Sequence, residues 1–411
     1  MYSTCVVAFI KQKEIICKFF NSSEWMNMKN TFINNRKYNW KDDNYIEDIL
    51  HIVIVPIYKE DPLVIDNILQ SLAEQNASLV IGIASEEREI NSDIKYNSII
   101  HKYENKFLKA IKTIHPNRLE NEVASKSSNC SYCAEILVKY YENNLKNFYN
   151  HAMITVCNSI WCQDYFLYLN YLSVKNDLKY FNHIVYTSNI TNFRNFRSNH
   201  LLTNWMSIIR LIVTHRHFRF LGYIRCFTSE YHIPLKLLKQ IDYWDTDLVH
   251  EDVHMCNKLA ILDKPSAIFK SSFLPCDNQT PTNINSMYQS FILLWNQSLR
   301  WKFQLGISLF MIYNCYLFHQ LLLNLLKIKN YENFQINSWK IFVQIINNYE
   351  NLFFYFLTLL FNSIFWIFHL YLFNHHSYNC IIDYLLTYIQ LLFYNYTNCH
   401  INSIDFICFK C

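Results

Sequence analysis

The chain has 411 residues, of which 51% are hydrophobic and 17% are charged. This composition is too apolar for a disordered chain and favours attachment to a membrane. The formal net charge is +4 without any block of Lys or Arg, so the sequence lacks the basic patch of a nucleic-acid-binding protein. The length allows one large domain with an appendage, or two domains.

Glycine is rare, because Gly82, Gly222 and Gly306 are the only three in the chain. This excludes a glycine-rich phosphate loop and leaves Asn or Asp for turns with left-handed backbone. The 14 cysteines are irregularly spaced and indicate no disulfide framework. Cys130 and Cys133 have the spacing of a metal or redox pair. Since no second pair completes it, burial as small hydrophobic side chains is favoured over a zinc site.

The first part of the chain predicts an α/β fold. Residues 1–50 form a polar, Asn-rich lead-in after a short apolar start. Residues 51–56 are a continuous β-branched run, typical of a strand buried on both faces. A helix is predicted over 62–75 and a second buried strand over 79–84. Strand, helix and strand at this spacing predict a βαβ unit in a parallel sheet.

The later elements continue this alternation less clearly. Helices are predicted over 97–111, 130–149, 165–174, 249–262 and 291–302, and strands over 113–115 and 151–156. The composition of residues 205–243 is mixed, and no element is assigned there.

Three long apolar segments lie in the C-terminal quarter. Residues 303–326 and 351–373 contain no Lys, Arg, Asp or Glu, and residues 378–397 are interrupted by Asp383 alone. Since a helix of roughly 20 residues crosses a bilayer core, residues 302–411 are predicted to form a membrane region with two or three helices. The aromatic residues in these segments suit a membrane interface, and they also suit a buried helix.

An aromatic and an acidic residue follow the first buried strand. Tyr58 and Glu60 stand in the run Pro56-Ile-Tyr-Lys-Glu-Asp61. In open α/β sheets, ligands bind in the crevice outside the carboxyl ends of the strands. Tyr58 could therefore stack on a base and Glu60 could accept from its ring nitrogens. The alternative is a solvated loop.

A second candidate precedes the predicted helix over 130–149. His115-Pro116 and Glu122 lead to the run Lys126-Ser-Ser-Asn129. A lysine at the start of a helix can hold a diphosphate through its own charge and the helix dipole. Taken alone, this segment is better explained as a helix cap formed by Ser127 and Ser128.

An acidic pair forms the third candidate. Glu251 and Asp252 follow His250 and open a predicted helix. Adjacent carboxylates that are partly desolvated in a cleft suit general base catalysis, because one of them is pushed towards a raised pKa. The alternative is a helix N-terminus carrying favourable acids.

The fourth candidate lies just before the apolar segments. Gln297 and Arg300 share one face of a predicted helix, and Trp301 is adjacent. Trp can contact a sugar face and Arg pairs with phosphate in a bidentate manner. The alternative is an Arg and a Trp at a membrane interface.

The order of these motifs resembles the membrane-integrated family 2 glycosyltransferases, the group that includes cellulose, chitin and hyaluronan synthases. The motifs are P-x-Y-x-E, K-x-x-N, E-D and Q-x-x-R-W, and they extend over residues 51–301. Q-x-x-R-W with an upstream E-D is fairly specific, whereas P-x-Y-x-E is not. The resemblance implies an α/β glycosyltransferase domain of type A over 51–301, followed by C-terminal transmembrane helices.

The resemblance also implies an activity and roles for residues. It implies inverting transfer of a hexose from a nucleotide-sugar donor to a hydroxyl group of a glycan or lipid acceptor. The residues implied in donor nucleotide binding are Tyr58, Glu60, Glu86, Lys126 and Asn129. Asp252, beside Glu251, would be the general base, and the acceptor and phosphates would be held by Gln297, Arg300 and Trp301. An integral membrane protein in contact with lipid is implied, with its catalytic domain in the cytosol.

One departure from the family concerns the metal. The family's Asp-x-Asp motif binds the divalent ion, Mg²⁺ or Mn²⁺, that neutralises the leaving diphosphate. Here the segment is Thr155-Val-Cys-Asn-Ser159, in which Asn158 is the one candidate metal ligand. A catalytically impaired homologue that keeps the fold as a binding or scaffold protein is therefore the alternative. A transporter is disfavoured, because the apolar segments are confined to the C-terminal quarter.

Overall fold

The computed structural model describes residues 18–38, 49–89, 92–117, 122–176, 178–191, 194–195, 198–200, 203–204, 229–247, 251–264, 267–278, 286–290, 292–294, 296 and 335–336. The chain divides into two units, which are Met1–Met26 with Tyr349–Cys411, and Asn27–Asn348. In the first unit, the rings of Phe20 and Trp25 pack edge to face with centroids 4.6 Å apart.

Ten strands are described. They are β1 (Leu50–Pro56), β2 (Ser78–Glu86), β3 (Lys109–His115), β4 (Ala152–Val156), β5 (Ile160–Trp161), β6 (Ile184–Thr191), β7 (Tyr231–Pro234), β8 (Leu262–Lys264), β9 (Ile268–Asp277) and β10 (Gln335–Ile336). Eight of them form one sheet in the order β3-β2-β1-β4-β7-β6-β9-β5, and β8 pairs with β10. The α/β prediction is confirmed.

Seven α-helices are described with both of their ends. They are α1 (Ser23–Tyr38), α2 (Pro62–Ala73), α3 (Ser92–Tyr103), α4 (Lys126–Asn144), α5 (Tyr165–Lys175), α6 (Leu235–Gln240) and α7 (Glu251–Ile261). Helix α1 lies in the segment that we predicted as a lead-in without elements. The backbone N–H of Trp25 donates to the Ser22 hydroxyl over 3.2 Å, so a serine begins this helix in a polar segment without a clear apolar stripe.

The parallel half of the sheet follows the hydrophobic pattern. Strand β1 lies between β2 and β4 and is parallel to both, and β3 extends the sheet beyond β2. Every residue of β2 is buried, as is every residue of β1 before Pro56. Both predicted strands are confirmed, because a run of β-branched side chains is stable where both faces are covered.

The predicted helix over 97–111 is wrong at both ends. Helix α3 begins earlier and ends at Tyr103, a short 3-10 helix covers Glu104–Lys106, and the segment from Lys109 onward is strand β3. Strand β3 pairs with β2 from Val80↔Lys109 onward, so pairing with a buried strand outweighs the local helical pattern. Of the helix predicted over 291–302, only residues 292–294 and 296 are described.

Helix α4 covers β2 and depends on a glycine. It packs on β1, β2 and β3. A Cβ atom at Gly82 would lie 2.7 Å from Sγ of Cys133 and closer still to Cδ1 of Leu137. The absence of a side chain at this position therefore allows the helix to approach the strand. Cys130 and Cys133 are buried free thiols of this interface, as the favoured interpretation of their spacing predicted.

The second half of the sheet is mixed, which the sequence pattern did not indicate. Strand β7 is antiparallel to β4 and to β6, and β9 is parallel to β6. Strands β6 and β9 were not predicted, and β7 lies within residues 205–243, where no element was assigned. Because β7 has four residues, it is too short to show a periodic pattern.

The order of the strands places a crevice at one edge of the sheet. From β1 the chain adds β2 and β3 on one side, and α4 then returns it to β4 on the other side of β1. Ligands of open α/β sheets bind at such a reversal, outside the carboxyl ends of the strands. Strand β7 runs against β4, so its amino end lies at this same edge.

Among the described helices, none is both long enough and apolar enough to cross a membrane. The three apolar segments predicted as membrane helices lie outside the described residues.

Candidate functional site

Polar residues from distant parts of the sequence meet at the carboxyl edge of β1 and β4. This set is named the edge cluster. It consists of Lys126, Asn158, Ser159, Glu230, Glu251 and Asp252.

An ion pair between two helix N-termini is the centre of the edge cluster. Nζ of Lys126, the first residue of α4, contacts Oε1 of Glu251, the first residue of α7. The Lys126 side chain is 26% exposed and that of Glu251 is 5% exposed. Burial acts to lower the pKa of Lys126, but the charge of Glu251 and its hydrogen bond, together with Cys130 and Asp252, raise that pKa above its ordinary value. Lys126 is therefore an ammonium at neutral pH.

Asn158 joins the loop after β4 to this ion pair. In the amide orientation that satisfies both of its polar atoms, Oδ1 accepts from Nζ of Lys126 over 2.8 Å and the nitrogen donates to the Cys157 carbonyl over 3.1 Å. One ammonium thus connects the start of α4, the start of α7 and the end of β4.

Glu230 is a further member of the edge cluster, and the sequence analysis did not identify it. Its Oε1 accepts from the Ser159 hydroxyl over 2.5 Å and from the Asn158 N–H over 3.4 Å. The residue is fully buried, and Oε2 has no hydrogen-bond partner among the described residues. Burial raises the pKa of Glu230 to about 7, against the opposing effects of Ser159 and Lys126. The sequence gives no local signal for Glu230 beyond a single acid directly before β7.

Glu251 and Asp252 lie at an anchored helix start. The Tyr231 hydroxyl donates to the Glu251 carbonyl over 3.5 Å, and Nε1 of Trp244 donates to that hydroxyl over 2.6 Å. Asp252 is partly exposed. Its charge helps to raise the pKa values of Lys126 and Glu230. A partly exposed carboxylate beside a fixed ammonium can accept a proton from an incoming hydroxyl group.

The loop after β4 does not fit a divalent ion. The Cys157 sulfur accepts from Nε1 of Trp161 over 3.0 Å, and burial raises the pKa of this thiol to about 12. Ser159 donates to Glu230, and the Asn158 oxygen faces Lys126. Within the described ranges, no group of three or more His, Cys, Asp or Glu is arranged to hold a metal. Asn158, predicted as a ligand to Mg²⁺ or Mn²⁺, is placed instead as an acceptor for an ammonium.

The residues predicted to contact the base form a neighbouring group. The guanidinium of Arg88 lies 4.2 Å from the centroid of the Tyr58 ring and pairs with the Glu86 carboxylate. Lys59, with a left-handed φ of 59°, lies 5.0 Å from the same centroid. Tyr58 and Glu86 are therefore neighbours through Arg88, which the sequence analysis did not single out.

Glu60 follows Tyr58 by two residues and interacts electrostatically with Lys126 of the edge cluster. Its carbonyl accepts from the Tyr96 hydroxyl over 2.8 Å, and that hydroxyl also donates to Glu89 over 3.0 Å. Burial, followed by the charge of Glu89, raises the pKa of Glu60, while Lys126 lowers it. The structure therefore brings Glu60 within electrostatic reach of Lys126.

The side chain of Asn129 forms a hydrogen bond within the fold and is not exposed to a donor ligand. Its side chain is buried, and Nδ2 donates to the Ala84 carbonyl over 2.9 Å, so it ties α4 to the end of β2. The cap of α4 also differs from the prediction, because Ser125 forms a capping box with Ser128. The Ser127 hydroxyl instead donates to the Asp245 carbonyl over 2.7 Å.

His115 and Glu122 form a contact between the end of β3 and the segment before α4. Nε2 of His115 lies 2.9 Å from Oε2 of Glu122, at the end of β3. The N–H of Val123 donates to the Thr246 carbonyl over 2.9 Å, which holds the segment before α4 against the segment before α7. His250, Gln297, Arg300 and Trp301 lie outside the described residues.

Comparisons with known proteins find similarity among solved structures alone. No family model matches the sequence, and no curated protein matches it. Among solved structures, the chain is similar to the mannosyltransferase PcManGT from Pyrobaculum calidifontis, solved in complex with GDP-Man and Mn²⁺. The two are 14% identical over 76% of this chain and 74% of that chain, with a TM-score of 0.40. At this level of similarity, function has to be inferred from the residues of the chain itself.

Proposed function

We propose that the chain transfers a sugar from a nucleotide-sugar donor to a hydroxyl group of a glycan or lipid acceptor, with inversion. The observation that carries this proposal is the contact between Lys126 and Glu251 beside Asn158. It joins the K-x-x-N, E-D and strand-end segments at the reversal of strand order, where α/β sheets bind ligands.

The donor would lie along the edge from Tyr58 to Lys126. The base would stack on Tyr58, whose ring already contacts a guanidinium. The diphosphate would approach the ammonium of Lys126 at the N-terminus of α4, a 19-residue helix whose dipole favours an anion there. Glu60, close to both regions, would contact the nucleoside.

The chemical step would use Asp252 as the general base. Its carboxylate would take the proton of the acceptor hydroxyl, while the hydroxyl oxygen forms a bond to the anomeric carbon of the sugar. The bond from that carbon to the diphosphate oxygen breaks on the opposite face, and the electron pair leaves with the diphosphate. Lys126 would stabilise the charge that develops there.

We also propose which residues bind the acceptor and which segments attach the protein to a membrane. Gln297, Arg300 and Trp301 would hold the acceptor and the phosphates, and residues 303–326, 351–373 and 378–397 would hold the protein in a membrane with its catalytic domain in the cytosol. Resistance of the chain to alkaline carbonate extraction from cell membranes would support this part. Its release into the supernatant would contradict it.

Turnover of a panel of UDP- and GDP-sugars, with and without Mg²⁺ or Mn²⁺, tests the activity. We expect release of nucleoside diphosphate from at least one donor, and its loss in Asp252→Asn. Asp247→Asn is the matched control, because Asp247 is an exposed acid shortly before α7. No turnover with any donor, or equal turnover in Asp252→Asn, would sink the proposal.

A catalytically impaired homologue is the second candidate. The side chains of Cys157, Asn158 and Ser159 all bind other protein groups, so none is placed to hold the metal of an active family member. Such a protein would bind nucleotide or a partner without turnover. Nucleotide binding together with no turnover in the same panel would favour this candidate.

A further inference from the structure

The loop after β4 has its side chains bonded within the protein, so the cation that would face the diphosphate has to come from elsewhere. Each polar side chain of the Cys157-Asn-Ser159 segment already contacts a protein group. The positive charge at this position belongs to Lys126, which contacts Asn158 itself. We propose that the Lys126 ammonium is the built-in cation of this site, so that the chain binds a nucleoside diphosphate without a divalent metal ion. This inference rests on the proposed function.

The hydrogen-bonding capacity of Lys126 supports this role. A lysine ammonium has three N–H donors. Among the described residues, Glu251 and Asn158 are the two acceptors at Nζ, so one donor is left for a ligand oxygen. The side chain is 26% exposed, which allows a ligand to reach it.

The surrounding contacts fix the ammonium in place. Glu251 is buried, and its carbonyl is held by Tyr231, so this partner is itself anchored. A charge held by fixed partners needs little reorganisation when an anion arrives, which is what a bound metal ion would otherwise supply. The dipole of α4 adds positive potential at the same point.

The nearby acids do not cancel this charge completely. Burial raises the pKa of Glu230 to about 7, so this side chain carries less than a full negative charge near neutral pH. Glu251 is the direct partner of Lys126 and is the acid with which a diphosphate would compete. Removing its charge should therefore tighten diphosphate binding.

Calorimetric titration of the full chain with UDP and GDP tests the inference, once with EDTA and once with Mg²⁺ or Mn²⁺. We expect the dissociation constant of the better nucleotide to agree within about threefold between the two conditions. Lys126→Met should weaken binding by about tenfold or more in both, since a charge-assisted hydrogen bond is lost. Glu251→Gln should tighten binding several-fold, and this variant tests the inference even if Lys126→Met fails to fold.

The control is a second lysine–glutamate pair at the other end of α4. Lys239 pairs with Glu142, and its side chain is 42% exposed, so Lys239→Met changes the same chemistry away from the edge cluster. It should leave nucleotide binding unchanged. Binding that requires a divalent ion overturns the inference and leaves the proposed function standing. Wild-type affinity in Lys126→Met also overturns it, and an absence of binding under all conditions overturns both proposals.

Discussion

The hydroxyl of Ser159 donates to Oε1 of Glu230 over 2.5 Å, in a position where neither side chain reaches solvent. This bond joins the loop after β4 to the start of β7. Oε2 of the same carboxyl group has no partner among the described residues. A buried carboxylate with one oxygen unsatisfied is costly, so the group favours its protonated form.

Glu230 should make the stability of the protein depend on pH. Burial raises its pKa from the ordinary 4.5 to about 7. Between these two pH values the folded state keeps a proton that the unfolded state has released. The contribution of protonated Glu230 to the free energy of unfolding is present in full below about pH 4.5 and is lost as the pH rises through 7. The loss amounts to about 3 kcal/mol of the free energy of unfolding.

Urea unfolding of the wild type and Glu230→Gln between pH 5 and pH 8 (about the span of the titration) measures this effect. The stability of the wild type relative to the variant should fall as the pH rises. The exposed Glu87, changed to Gln, controls for the amide substitution itself. A difference between wild type and Glu230→Gln that does not vary with pH would contradict the raised pKa.

Gly82→Ala should destabilise the fold. The added methyl group would lie 2.7 Å from the Cys133 sulfur and closer to Leu137, so α4 and β2 would have to move apart. Overpacking of this kind costs about 1–3 kcal/mol. Thermal unfolding of Gly82→Ala, Leu137→Ala and the double variant forms a cycle. If the methyl group clashes with Leu137, Gly82→Ala will cost less in the Leu137→Ala background, and equal costs in both backgrounds would refute the clash.

The sequence predicted the parallel half of the sheet because its signal is local. The apolar runs over 51–56 and 79–84 each predict a buried strand from their own residues, and β1 and β2 match these runs closely. Strand β7 has four residues and is stabilised by β4 and β6, so no local pattern could reveal it.

The same distinction applies to the edge cluster. Lys126, Glu251 and Asp252 were identified from the order of motifs, whereas their mutual contact depends on how α4 and α7 fold against the sheet. Glu230 stands outside every motif and gains its place only through pairing of β7 with β4. The prediction that Asn158 binds a metal depended on side-chain direction, which spacing does not determine.

Asn129→Ala should affect stability more than ligand binding. The amide of Asn129 is buried and donates to the Ala84 carbonyl, which also accepts from the Ile57 N–H over 2.8 Å. Its removal therefore loses one hydrogen bond without leaving this acceptor unsatisfied, at a cost of about 0.5–1.5 kcal/mol. Thermal unfolding and UDP or GDP titration of the same variant separate the two roles. A fall in nucleotide affinity of about tenfold without a fall in stability would instead support the predicted contact with the donor.

Tyr58→Ala should weaken the binding of a nucleoside diphosphate but not that of inorganic diphosphate. The ring of Tyr58 lies at the end of β1 with Arg88 at 4.2 Å, and an aromatic face at this edge is a platform for a base. Stacking of a base on an aromatic side chain contributes about 1–3 kcal/mol, so the affinity for UDP or GDP should fall by about tenfold.

Tyr180→Ala is the control for Tyr58→Ala, because Tyr180 is 46% exposed and lies in the 3-10 helix Leu178–His183, away from the edge cluster. Titration with UDP, GDP and inorganic diphosphate should separate the two halves of the donor. Lys126→Met is expected to weaken all three ligands, since each presents phosphate oxygens to the ammonium. Tyr58→Ala is expected to weaken only the two that carry a base. If Tyr58→Ala weakens inorganic diphosphate equally, the tyrosine supports the loop rather than a base, and the donor cannot lie along this edge as proposed.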